Sequence, residues 1–375
     1  MADILRIVDR FMITGRGMVY TVKHKYIKDT NIRMNDIFYD LRHNRFQVVG
    51  FEMFRVFSDI EPDEVPWGIL MKPLDGIDVC GNFLVRDLVD INFIFCNHPL
   101  YKDRVDEDYK EEYQAAGLKH PCALFSYENL ENGTLSLYGE KISGLTIYRG
   151  WIMKPDMYRK FYSLLEDMGI ILINSPEEYE KYHLLPKWYN DVSVCTPDTI
   201  WEDTGTLKGA MRMIKDLEGA YIVKDFVKSR KHEWYDACFI SNIAKETEAQ
   251  KIIGNFLDRQ GDSLVGGVVL RKYEPLKSIG FHEQSGMPIS EEYRVFVYAG
   301  KIMVIDNYWS VDKEINITDE EMEWIETLAV KVHSGFMTID LARKEDGTLI
   351  VMELGDGQVS GLQQINPDKF YSLFK

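Results

Sequence analysis

Residues 335–357, GFMTIDLARKEDGTLIVMELGDG, constrain the fold of this chain more than any other stretch. Two apolar runs, 336–342 and 348–354, flank Glu345-Asp346-Gly347. Asp-Gly between β-like runs is a strong hairpin signal, because a tight primed turn needs positive φ. With Asp346-Gly347 as a two-residue turn, Asp340 faces Glu353 across the hairpin. Both carboxylates then share one rung and one face, amid Ile339, Leu341, Met352 and Leu354. Like charges directly opposed destabilise a strand pair. Buried carboxylates need a partner, and paired hard oxygens suit Mg²⁺. The plainer alternative is two solvent-facing acids on an edge hairpin. If the acids repel, removing either charge should leave the unliganded fold intact or slightly firmer.

A chain of 375 residues exceeds one ordinary domain, so two or three are expected. With 45% hydrophobic and 13% aromatic residues it can bury large cores. The net charge is −16, and residues 1–90, with 12 Lys and Arg against 14 Asp and Glu, contribute only −2 of it. Bulk nucleic-acid binding by the acidic remainder is not expected, though its charge leaves room for a small local basic site. The five cysteines are widely separated without a CxxC, and the eight histidines show no HExxH spacing. Neither a zinc site nor a disulfide framework is expected. The opening MADILRIVDRFMITGRG has no long apolar segment, and no run approaches the roughly 20 residues of a membrane span. A reduced cytoplasm and no membrane partner are the expectation.

Residues 1–88 read as short strands, at 10–13, 18–22, 46–53 and 67–71. Turn signals stand at Gly15-Arg16-Gly17, Asn35-Asp36, His43-Asn44, Asp75-Gly76 and Gly81-Asn82. This punctuation predicts a small β-barrel. Gly15 and Gly17 lack the third glycine and following helix of a dinucleotide fingerprint. From Leu88 the pattern changes to strands alternating with helices, predicting α/β layering with a largely parallel sheet. Helices are expected over 106–116, from Pro155 to a stop at Gly169, and from the capping box Ser175–Glu178. One further helix is expected between 196 and Glu218-Gly219, before a strand at 220–224. Another should occupy 245–259, followed by a strand at 267–273. A hairpin should turn at Ala299-Gly300. A helix opening at the Thr318–Glu321 capping box is expected to run to Ser334 and stop at Gly335.

The amino-terminal motifs RFMITGRGMVYTV, NDIFYD, RFQVVGFEMF and WGILMKPLDGIDV resemble the second-domain β-barrel of translational GTPases. Asn35-Asp36 stands where that family usually has Gly-Asp. The resemblance implies only the barrel, not GTP hydrolysis. Downstream, YIVKD, VVLRKY, EYRVFV, TIDLA and VMELGDG occur in the order of the ATP-grasp superfamily. Upstream IYRGW, YEKYHLLPKWY and Thr196-Pro197 resemble its clade named for one arginine and two lysines. A Walker A motif and a kinase HRD/DFG set are absent.

The resemblance implies an α/β ATP-grasp fold preceded by the barrel. Its expected domains are a barrel over 1–88, a pre-domain over 89–198 and an ATP-grasp unit over 199–375. That unit would have a small lobe of about 199–265 and a large lobe of about 266–375. It implies ATP and Mg²⁺ as cofactors, and amide formation from a carboxylate and an amine through an acyl phosphate. Lys224 would contact phosphate, and Arg294 would neutralise it. Lys208, with Lys215 competing, is the earlier nucleotide-contacting lysine. Arg271, Lys272, Tyr273 and Glu274 form the segment that meets adenine. Asp340 and Glu353 are the metal ligands. Family members usually carry Asn two residues after the glutamate. Here that position is Gly355, so Asp356 is the substitute third ligand. Arg149 of YRGW would contact substrate carboxylate or γ-phosphate, the alternative being a buried ion pair. The 225–240 loop, with Lys228, Arg230 and Lys231, would close over the site.

Two other classes compete. A nucleotidyltransferase-type ligase would carry AMP on Lys224, but KxDG-like spacing fails at Phe226-Val227. A non-catalytic adaptor would bind a translation component through the barrel, which is expected to recruit a macromolecular partner. On that view a fragment beginning near Leu88 should fold and still bind nucleotide.

Overall fold

A computed structural model describes residues 4–23, 30–53, 65–88, 90–309, 314–332 and 334–374. Six strands between Ile4 and Val85 form a closed barrel. Its strands are β1 (Ile4–Ile13), β2 (Gly17–Lys23), β3 (Ile37–Tyr39), β4 (Arg45–Met53), β5 (Pro66–Pro73) and β6 (Phe83–Val85), in the order β1-β2-β5-β4-β3-β6. Alternating residues such as Leu5, Ile7, Tyr20, Val22, Phe46 and Val48 fill it. The expected turn residues Gly15, Asn35, His43, Gly76 and Gly81 all take positive φ.

The second sheet holds β7 (Asn92–His98), β8 (Tyr101–Val105), β9 (Cys122–Phe125), β10 (Leu137–Gly139), β11 (Gly144–Arg149) and β12 (Ile170–Leu172). Strands β9, β7, β11 and β12 run parallel, as the alternating pattern requires, while β8 and β10 pair antiparallel at its margins. Helix Pro155–Asp167 buries Tyr158, Phe161, Tyr162 and Leu165 against it. Helix Pro176–His183 opens with the expected Ser175–Glu178 capping box.

Beyond residue 198 the sheets are antiparallel, so the parallel expectation is limited to the second sheet. One contains β13 (Thr199–Glu202), β14 (Tyr221–Lys224), β15 (Phe239–Ile240) and β16 (Val268–Lys272), ordered β13-β16-β14-β15. Strand β13 stands where a helix alone was expected; the helix is confined to Leu207–Met213. A two-stranded ribbon, β17 (Ser278–Phe281) and β18 (Pro288–Ser290), follows. The last sheet orders β19 (Glu292–Tyr298), β20 (Lys301–Asn307), β21 (Phe336–Arg343) and β22 (Leu349–Asp356) as β20-β19-β21-β22. Ala299 and Gly300, both at positive φ, make its first turn.

The helix opened by the Thr318–Glu321 capping box ends at Lys331, earlier than expected. Gly335 does not stop it: a Cβ there would lie 2.8 Å from the Ile173 carbonyl oxygen, so close packing requires the glycine. The 106–116 expectation resolves into a 3₁₀ turn, Glu107–Tyr109, then helix Lys110–Gly117. No helix among the described residues is long and apolar enough to cross a membrane.

The barrel shares a core with the rest. Ile4, Leu41, Phe83 and Val85 belong to the same buried cluster as Phe93, Phe296, Phe336, Phe370 and Phe374. Arg6 pairs with Glu178 at 3.0 Å, and Asn82 donates to the same carboxylate at 2.6 Å. Arg42 Nη2 donates to the Tyr298 carbonyl at 2.6 Å. The expectation that a fragment from Leu88 folds by itself meets this shared core.

Candidate active site

The β21–β22 hairpin differs from the expected two-residue turn. Lys344 faces Thr348, leaving a three-residue loop, Glu345-Asp346-Gly347, with Gly347 at φ +92. That offset alone would put Met352 opposite Asp340. A bulge between Asp340 and Leu341 on one side and Val351 and Glu353 on the other restores the Asp340–Glu353 rung. It also turns Met352 and Glu353 together into the cleft, while Val351 and Leu354 both enter the core.

This hairpin floors a cleft of about 290 Å³ between the β13–β16 sheet and the β19–β22 sheet. Ile222, Trp234, Tyr273 and Met287, which pack as one apolar cluster, line the cleft together with Met352. Trp234 stacks on Phe239 at 5.2 Å and meets Tyr273 edge-on at 6.3 Å. Lys224, Lys228, Lys231, Glu292, Asp340 and Glu353 line the same cleft. It continues into a second cavity of about 250 Å³ bounded by His183, Arg294, Thr338, Gly355 and Ser360. A larger cavity, about 600 Å³, lies between the barrel and the Pro155–Asp167 and Pro176–His183 helices. Its arginines face Asp9, Glu177 and Glu178, and it holds none of the candidate residues.

The acids do not face each other uncompensated. Arg294 donates to Asp340 through Nε at 2.8 Å and Nη2 at 2.7 Å, and through Nη1 to the Gly361 carbonyl at 2.8 Å. Burial opposes its charge, but Asp340 holds the guanidinium above its ordinary pKa. Lys224 Nζ donates to Glu353 Oε1 at 3.3 Å. Burial disfavours the Glu353 charge, yet Lys224, Lys231 and Arg271 hold its carboxyl below the usual range. The expectation of a firmer fold on neutralising either acid therefore fails for Asp340, whose removal strands a buried cation.

Lys224 is placed by the residue after it. Asp225, 1% exposed, accepts from the backbone of Val227 (2.7 Å) and Lys228 (2.6 Å), and from Gln260 and Val265. This Asx-type turn sends Lys228 and Lys231 into the cleft. Arg230 instead pairs with Glu233. Much of the Lys231 side chain meets solvent, but its ammonium sits 6.0 Å from the Tyr308 ring, in reach of Glu292 and Glu353. Arg271 is buried; Nη2 donates to Thr196 Oγ1 at 2.6 Å, while Nε has no hydrogen-bond partner. Burial pulls its pKa down to about 10. Lys272, Tyr273 and Glu274 line the cleft, with Lys272 3.7 Å from Asp198 and Glu274 3.4 Å from Lys344.

Two candidates, Lys208 and Arg149, line neither cavity, while Asp356 lines the second. Lys208 is exposed on helix Leu207–Met213 and lines neither cavity. Arg149, 1% exposed, grips Glu112 through Nε (2.9 Å) and Nη2 (3.0 Å), and its Nη1 donates to the carbonyls of Gly357 (2.5 Å) and Ser360 (2.8 Å). Four of its five N–H groups are bonded inside the protein, which fits the ion-pair alternative. Asp356 accepts from Asn174 at 2.6 Å and from the Gln358 backbone at 2.9 Å, and burial pushes its pKa up to about 7. It lines the second cavity with Asp340 and Glu353, but Asn174 and Gln358 hold its carboxyl in a hydrogen-bond network apart from theirs. Among the described residues no three of His, Cys, Asp and Glu cluster as a metal site. Sequence reasoning did not single out Glu292, Thr338, Ser360 or His183. His183, Glu292 and Thr338 stood inside quoted motifs without being named, and Ser360 stood in none.

Residues 211–373 match an ATP-grasp domain family, the third family of the clade named for one arginine and two lysines. No curated protein matches the chain. Among solved structures, the ATP-grasp ligase PsnB with minimal precursor, Mg and ADP is 14% identical, covering 76% of this chain and 96% of its own, with a TM-score of 0.46. A RimK-domain ATP-grasp protein from Sphaerobacter thermophilus is 10% identical, covering 76% and 99%, with a TM-score of 0.49. D-alanyl-alanine synthetase A from Vibrio cholerae is 12% identical, covering 77% and 95%, with a TM-score of 0.46. Residues 211–373 thus form an ATP-grasp domain of the one-arginine, two-lysine clade.

Proposed function

We propose that this protein is an ATP-dependent carboxylate–amine ligase working through an acyl phosphate. The observation that carries the reading is the Asp340–Glu353 rung in a cleft lined both by an apolar, aromatic cluster and by lysines. The base of ATP fits Trp234, Tyr273 and Met352, and the phosphates fit the lysines. Two carboxylates on one face, each already beside a cation, match the hard-oxygen donors that Mg²⁺ takes. Bound there, Mg²⁺ would draw charge from the β- and γ-phosphate oxygens.

The side chains do the rest. Lys224, Lys231 and Arg271 supply fixed positive charge where negative charge gathers, without reorganising at the moment of transfer. Arg294 holds Asp340 in place. The substrate carboxylate would sit in the adjoining cavity beside Lys228 and attack the γ-phosphorus, releasing ADP. The amine nitrogen then attacks the acyl carbon and loses a proton, and phosphate leaves. Segment 225–240 would shield the acyl phosphate from water. Arg149 acts in this reading as a brace for the 357–360 loop. The barrel, residues 1–88, would recruit a macromolecular partner; the remainder divides into the pre-domain and two-lobed unit stated above.

The test is incubation with ATP, Mg²⁺ and mixed amino acids and peptides, followed by mass spectrometry. ADP, phosphate and an amide of mass 18 Da below the summed substrates are expected, 18 being roughly one water lost in amide formation. AMP with pyrophosphate, or an AMP adduct on Lys224, would move the chain to the nucleotidyltransferase class.

A further inference from the structure

Position 355 is a glycine for a steric reason. A Cβ there would lie 2.6 Å from Thr338 Oγ1 and 3.0 Å from Ser360 Oγ. The two hydroxyls, 2.9 Å apart, already occupy the space a side chain would need. Thr338 faces Gly355 two rungs from Asp340–Glu353, beyond Ile339–Leu354, and two residues along a strand share a face. Thr338 is 2% exposed and, with Ser360, lines the same cavity as Asp340 and Glu353.

The direction of the hydroxyl chain follows from its far end. Ser360 Oγ lies 2.9 Å from the Asp356 carbonyl oxygen, which only accepts, so Ser360 spends its one proton there. Between Thr338 and Ser360 the proton must then come from Thr338. Thr338 is left with lone pairs toward the cavity and no proton to offer. A group presenting only lone pairs beside two carboxylates suits a cation and not a phosphate oxygen. Ser360 is held for this by Arg149, which binds the carbonyls of Gly357 and Ser360 from beneath.

We propose that Thr338 Oγ1 is a third oxygen ligand of the divalent cation carried by Asp340 and Glu353, replacing any side chain at position 355. This rests on the ATP-grasp ligase reading above. A neutral hydroxyl is a hard donor, compatible with Mg²⁺ or Mn²⁺.

The test is Mn²⁺ titration of the full chain with ADP, read by electron paramagnetic resonance. Thr338→Val keeps the shape and removes the lone pairs; it should weaken Mn²⁺ by about tenfold or more, while Thr338→Ser stays near wild type. ADP affinity without metal should be the same in all three. Thr338→Cys gives a second readout if the valine variant does not fold. Its sulfur should lower Mn²⁺ affinity and raise the relative affinity for Cd²⁺, a switch that a purely structural threonine would not produce. Wild-type Mn²⁺ binding by Thr338→Val, or an unchanged Mn²⁺/Cd²⁺ ratio in Thr338→Cys, overturns the assignment. Failure of the wild-type chain to bind Mn²⁺ with ADP would instead remove the ligase reading itself.

Discussion

Asp340 and Glu353 share a rung but not a fate on mutation. The Asp340–Arg294 pair is bidentate and nearly dry, with 7% and 9% of the side chains exposed. Asp340→Asn leaves a buried guanidinium without its counter-charge and should cost about 3 kcal/mol of stability. Glu353 keeps 41% of its side chain open to water, so Glu353→Gln should cost under ~1 kcal/mol. Both should abolish turnover. Thermal melts beside a phosphate-release assay check this, and normal turnover in Glu353→Gln would sink the metal-site reading.

His183 gives a pH signature at the same scale. Burial holds its pKa down to about 4, with Glu353 raising it and Lys228 and Lys224 lowering it further. Unfolded chains bind the proton near 6.5, so the unfolded state takes up more protons below that pH. Stability from this group is complete above 6.5 and falls by about 3 kcal/mol as pH drops toward 4. His183→Gln should flatten that slope; melts at pH 4.5 and 7.5 for both proteins measure it.

At the scale of elements, the β22 bulge sets the site. The core residues Leu349 and Val351 are two apart, but the next, Leu354, is three further on. That skipped step is the sequence trace of the bulge, which places Met352 and Glu353 on one side. Deleting Met352 should straighten the strand and keep every ladder pair. The apolar lining of the cleft would lose its floor. We expect a folded protein, within about 2 kcal/mol of wild type, whose nucleotide affinity falls at least about tenfold. Calorimetric titration with ADP measures it, and unchanged affinity would show that the bulge serves only the core.

At the scale of the whole molecule, the barrel and the ATP-grasp unit are one packing problem. Phe83 and Val85 from the barrel lie in the same cluster as Phe370 and Phe374 from the carboxyl end. Removing residues 1–88 would expose that cluster, and a bared aromatic core face drives aggregation. The fragment 89–375 should therefore be insoluble or bind hydrophobic dye strongly, in contrast to the expectation from composition alone. Soluble, cooperative melting of that fragment would show the shared core to be dispensable.

The sequence by itself determined the elements whose signals are local. Turn chemistry at Ala299-Gly300, capping boxes at Ser175 and Thr318, and strand periodicity in the barrel all depend on neighbours within a few residues. The Asp340–Glu353 rung was also legible, although its derivation assumed a two-residue turn and no bulge, and the two departures cancel. Only the tertiary structure decided which charges meet. Arg149 and Glu112 are 37 residues apart, and Arg294 and Asp340 are 46 apart. Whether an arginine faces substrate or spends its donors on a carbonyl depends on distant chain returning to it. No local pattern encodes that return, so the sequence left Arg149 open between a substrate contact and a buried ion pair, and only the fold brings Glu112 to it.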